Sequence, residues 1–159
     1  MMPWTRTLAR ALLLGLLLAG SSGGMADNML DQRTLMVRTA LDFERALGAV
    51  QQTLEEYGYS VAHIQRCDGG MSDFGYETDF YRVVFFGKVE EVRALSDRHP
   101  ELAPFLPLKV LVAAERDESV LIALNPLALS AYFPDEDLAV QFARWYSDIT
   151  AILEELRTL

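Results

Sequence analysis

Six apolar residues near the C-terminus, Leu138, Phe142, Trp145, Ile149, Ile152 and Leu156, recur at intervals of four, three, four, three and four. That rhythm keeps all six on one side of a helix over most of 135–159, with Pro134-Asp135 to open it. A seam of this length must be covered. Either it packs on the sheet of its own domain, or it forms a homodimer interface with a second copy.

The rest of the chain offers a sheet. Thr34–Ala40 alternates as a first strand, and Asp42 then reads as the N-cap of a helix. Phe43, Leu47, Val50, Leu54 and Tyr57 share one helical face, and Gly58 supplies the left-handed residue that ends it. Tyr59–Arg66 is the next strand. In Asp79–Phe86, Phe80, Val84 and Phe86 point one way and Tyr81, Val83 and Phe85 the other, so both faces read as buried. A second helix runs from Val89 to about His99, beyond which Pro100, Pro104 and Pro107 prevent continuation. Leu108–Glu115 and Ser119–Leu124 form a hairpin about Arg116-Asp117-Glu118, and a short helical turn at Leu127–Tyr132 follows Asn125-Pro126. The mixed order, with hairpins, predicts an α+β domain whose helices cover one sheet face.

The N-terminus has the three zones of a secretory signal peptide: Arg6 and Arg10, the apolar run Ala11–Ala19, and small residues leading to Ala26. Cleavage is expected after Ala26, leaving a flexible leader over 27–33, a single domain over 34–159, and a periplasmic or secreted location. An uncleaved anchor is the alternative, but nine apolar residues fall short of the roughly 20 that a spanning helix needs, so no stable membrane insertion is expected after cleavage. Removing 26 of 159 residues leaves 133, enough for one core.

The signal segment 1–26 holds two arginines and no acid, so the formal charge changes from −9 for the chain to −11 for the remainder. That sign disfavours nucleic acid, whose phosphates demand clustered Lys and Arg, and disfavours anionic lipid surfaces. The single Cys67 cannot close an internal disulfide.

Several of these segments together resemble a known family: Asp42-Phe43 with its helix and Tyr57-Gly58-Tyr59-Ser60-Val61, then Tyr81-Arg82-Val83-Val84-Phe85-Phe86-Gly87-Lys88, Leu106-Pro107-Leu108-Lys109-Val110-Leu111-Val112, and Leu124-Asn125-Pro126. The stretch from about 34 to 130 is similar to the bacterial and archaeal domain of unknown function 302 (DUF302). The resemblance implies a compact α+β domain similar to the TATA-binding-protein-like fold, with a curved, mainly antiparallel sheet backed by helices. It implies no activity, and a shared fold brings no DNA binding with it.

The chemistry-bearing residues are few. His63, Gln65 and Cys67 alternate on one strand, so their side chains leave the same face. A metal site, or a thiol activated by the histidine, would need His63 and Cys67 together, yet alternate positions in extended chain put them about 13 Å apart. The plainer reading is a satisfied histidine and a packed cysteine. No CxxC or HExxH motif supports a metal, and no cofactor is indicated. The 68–79 loop has three glycines, but Gly70 and Ser72 fall where an EF-hand needs ligands, and no phosphate-loop lysine follows. It reads either as a loop pinned by Met71, Phe74 and Tyr76, or as a lid with which those residues cover a small ligand. Arg82 and Lys109 stand in otherwise apolar strand patterns. Each either faces outward at a sheet edge or turns inward to meet an anion.

The leading expectation is therefore an exported, non-enzymatic module for a small, anionic ligand, with Arg82, Lys109, Phe74, Tyr76, His63 and Cys67 as candidate contacts. An enzyme using Cys67 and His63, and a homodimer formed through the C-terminal helix, are the alternatives.

Overall fold

The computed structural model describes residues 33–67, Gly75 and 80–159. The expected signal peptide, all of the leader but Arg33, and the loop residues Met71, Phe74 and Tyr76 lie outside the described residues. The elements run β1 (Thr34–Thr39), α1 (Phe43–Glu56), β2 (Ser60–Arg66), β3 (Tyr81–Gly87), α2 (Val89–Arg98), β4 (Leu108–Glu115), β5 (Glu118–Leu124) and α3 (Glu136–Arg157). Two 3-10 segments, Pro100–Phe105 and Pro126–Ala131, stand before β4 and α3. The five strands form one sheet in the order β1-β5-β4-β3-β2, every neighbouring pair antiparallel. This is the α+β architecture expected: an antiparallel sheet backed by helices, with a long C-terminal helix.

Local chemistry sets the boundaries. Asp42 caps α1, its Oδ1 accepting from the Arg45 amide at 3.0 Å, and Gly58 leaves the helix at φ +76°, in the region glycine enters without penalty. Asp135 caps α3 by accepting from the amides of Asp137 (2.8 Å) and Leu138 (3.3 Å). The hairpin between β4 and β5 turns at Arg116, whose φ is +59°. At the end of β3, Gly87 is buried because α2 comes close: a Cβ there would lie 2.8 Å from Cγ2 of Val92.

The main core cluster takes its buried sheet side chains from one face. Val84 and Phe86, Leu108, Val110 and Val112, and Leu121 and Ala123 pack with residues of all three helices. Leu35, Val37, Val61 and Ile64 extend the same face toward both edges. The whole α3 seam, Leu138 through Leu156, is buried here. The seam is thus consumed within the chain, and a second copy meeting α3 would have to use its outer side, where Val140 is 73% exposed.

The buried stripe of α1 is rotated from the one the sequence predicts. Phe43, Ala46, Val50, Thr53 and Leu54 are buried, whereas Leu47 and Tyr57 are half-buried at the margin. Small Ala46 and β-branched Thr53 carry weak hydrophobic signals, yet they sit where the helix lies nearest its neighbours. The space left among Val50, Leu54, Phe86, Val110 and Ile149 is only ≈ 10 Å³, too small for a ligand.

Candidate functional site

The second face of the sheet lies away from the core cluster, and among its described side chains Val120 alone is buried, at 7% exposure. Its register forms rows across the strands. Met36 on β1 lies opposite Ile122 on β5, Ile122 opposite Leu111 on β4, Leu111 opposite Val83 on β3, and Val83 opposite Gln65 on β2. One step along, Thr34 pairs with Leu124, Lys109 with Phe85, and Phe85 with His63. Met36 is 54% and Leu124 45% exposed, while Leu111, Ile122, Val83 and Phe85 are half-buried. The expectation that both faces of β3 are buried is therefore met in full only at Val84 and Phe86. The rows form a broad apolar surface over which no described helix packs.

Lys109 is a half-buried charged group on this surface. Its Nζ stands 5.6 Å from the Phe85 ring centroid and donates to the Phe105 carbonyl at a long 3.4 Å. No described carboxylate pairs with it, and burial lowers its pKa from the ordinary 10.5. On the other side of Phe85 lies His63, its ring 6.0 Å away and tilted by 41°. Phe85 thus has a cation on one flank and an imidazole on the other. Acids stand at the far end of the same hairpin, where Glu115 is opposite Glu118 and Glu115 is held by Arg38 at 2.6 Å.

His63, Gln65 and Cys67 lie in sequence along β2 and its exit, but the structure does not join His63 to Cys67. Gln65 stands between them, its Oε1 3.2 Å from Nε2 of His63 and its carbonyl 3.9 Å from Sγ of Cys67. Among the described residues no three of His, Cys, Asp or Glu gather as metal ligands.

The pairing of Arg82 with Lys109 in one pocket fails on parity. Arg82 shares its side of β3 with Val84 and Phe86, and lies opposite Val112 of the core face, whereas Lys109 lies opposite Phe85. Arg82 stacks its guanidinium 5.3 Å from the Phe43 ring centroid and donates to the Tyr81 carbonyl at 2.9 Å. Two cations on opposite faces cannot hold one small ligand.

A polar cluster that sequence reading missed lies between β2, α2 and α3. The Tyr59 hydroxyl donates to Oδ2 of Asp148 at 2.6 Å, Lys88 approaches the same oxygen at 3.6 Å and the Tyr59 ring centroid at 4.5 Å, and Arg144 reaches it at 3.8 Å. Arg144 also pairs with Glu91, which accepts the indole N–H of Trp145 at 2.8 Å. Burial, then the hydrogen bond and charge of Asp148, push the Tyr59 pKa far up. With two carboxylates, two cations and a neutral phenol, the cluster is balanced in formal charge. The one available signal was Trp145, whose buried N–H demands an acceptor.

The DUF302 family model, described as a domain of unknown function, matches residues 35–156, from β1 almost to the end of α3. The chain belongs to the DUF302 family. A crystal structure of an uncharacterized conserved DUF302 protein from Bacillus stearothermophilus is similar, with a TM-score of 0.72 and 16% identity, over 79% of this chain and 99% of that one. At that identity the likeness speaks for the DUF302 fold alone. Among curated proteins, none matches the chain.

Proposed function

We propose that this DUF302 protein is a non-enzymatic binding module, exported after cleavage behind Ala26, that holds a small anionic ligand at Lys109, on the sheet face over which no described helix packs. The observation that carries the reading is a half-buried ammonium that, among the described residues, has an aromatic ring and one distant carbonyl for company. Taking an ammonium out of water is unfavourable unless it is paired, and a ligand carboxylate or phosphate would supply the missing partner. The formal charge of −11 left after cleavage does not oppose one small anion. Exposed charges are screened beyond about 8 Å at physiological salt, and Glu115 stands about 20 Å along β4 from Lys109.

Thermal-shift measurements with small carboxylates and phosphates test the reading, since a ligand specific to the folded chain raises its melting temperature. At least one anion should shift the wild type and leave Lys109→Met unmoved. If no anion shifts the wild type, the site is not an anion site. For export, N-terminal sequencing should find Asp27 first, and recovery of the full-length chain only in membranes would refute it.

A further inference from the structure

Resting on the anion site at Lys109, we infer that its ligand is an amphiphilic carboxylate, an acyl or aryl-alkyl acid whose head meets Lys109 and whose apolar body lies along Leu124, Ile122, Leu111 and Met36. Opposite Lys109 the register sets Phe85, and the adjacent row is apolar on four consecutive strands before it reaches Gln65. A small hydrophilic anion would satisfy Lys109 and leave that row uncovered. A neutral hydrocarbon would cover the row and leave the ammonium without a partner.

The one ligand chemistry that answers both has a single charge at one end. Strands lie about 4.8 Å apart, so Met36 on β1 stands about 10 Å across the sheet from Lys109 on β4, the reach of a medium-chain acid. Met36 adds an unbranched, adaptable side chain at the place where chains of different length would end.

Calorimetric titration of the full chain with butanoate, hexanoate, octanoate and octanol reads the inference directly. Affinity should rise by about two- to fourfold for each added methylene, the upper value being about 0.8 kcal/mol per buried CH₂. Ile122→Thr should flatten that dependence, with Val83→Thr as the substitute if Ile122→Thr does not fold. Lys109→Met should erase the preference for octanoate over octanol. Equal binding of all three acids would overturn the inference while leaving the anion site at Lys109 in place. Equal binding of octanol and octanoate to the wild type would overturn both. Sedimentation of a dimer that Ile122→Lys dissociates, with no acid bound, would assign the face to a second copy and also overturn the inference.

Discussion

The Tyr59 hydroxyl lies 2.6 Å from Oδ2 of Asp148, tying the chain just before β2 to the middle of α3 across 89 positions of sequence. The bond is part-buried and charge-assisted, so Tyr59→Phe should lower stability by about 1–2 kcal/mol in chemical denaturation. It should also alter the response to alkali. Because the folded state holds the Tyr59 proton more tightly than the unfolded chain, whose tyrosine ionises near 10.0, this contribution is intact below that pH and is lost as pH rises above it. The phenylalanine variant should lack that component of alkaline destabilisation.

Leu54 is fully buried and Leu47 only half-buried on the same helix. Leu54→Ala should cost about 2–5 kcal/mol through the cavity it opens, and Leu47→Ala less than half as much. Equal losses in urea titrations would show that α1 is seated differently.

At Gly87 the addition of one methyl group meets the stiff side chain of Val92 at 2.8 Å. Gly87→Ala should destabilise by about 1–3 kcal/mol, and Val92→Ala should restore part of the loss. Additive effects in the double variant would mean that the two do not touch.

Lys109 makes the opposite prediction to Tyr59. Burial lowers its pKa, so folding works against the charged form. That penalty is present below the folded pKa and is relieved as pH rises toward the unfolded value of 10.5. Lys109→Met keeps the aliphatic stem and removes the charge, and should raise the melting temperature at neutral pH by about 1–3 °C. A fall instead would mean that the ammonium is stabilised by its surroundings.

The fold was legible because its signals are periodic. The α3 seam repeats over six residues, and Val84 and Phe86 alternate with Val83 and Phe85, so element types and order follow from spacing. What failed needed three dimensions. Arg82 and Lys109 look alike as lone cations in apolar strands, and only the register between β3 and β4 assigns them to different faces. Ala46 and Thr53 are buried by the approach of neighbouring elements, which no hydropathy pattern along α1 records. Tyr59 and Asp148 are joined across most of the domain, and nothing in either's local sequence points to the other.

The division of β3 into Val84 and Phe86 on one side and Val83 and Phe85 on the other separates two kinds of mutational constraint. Replacements at 83, 85, 109, 111 and 122 open no void beneath the helices, so recognition on that surface can diverge while the scaffold persists. Saturation mutagenesis read once for folded yield and once for ligand capture would then give two profiles along β3, each with a period of two and out of phase by one residue.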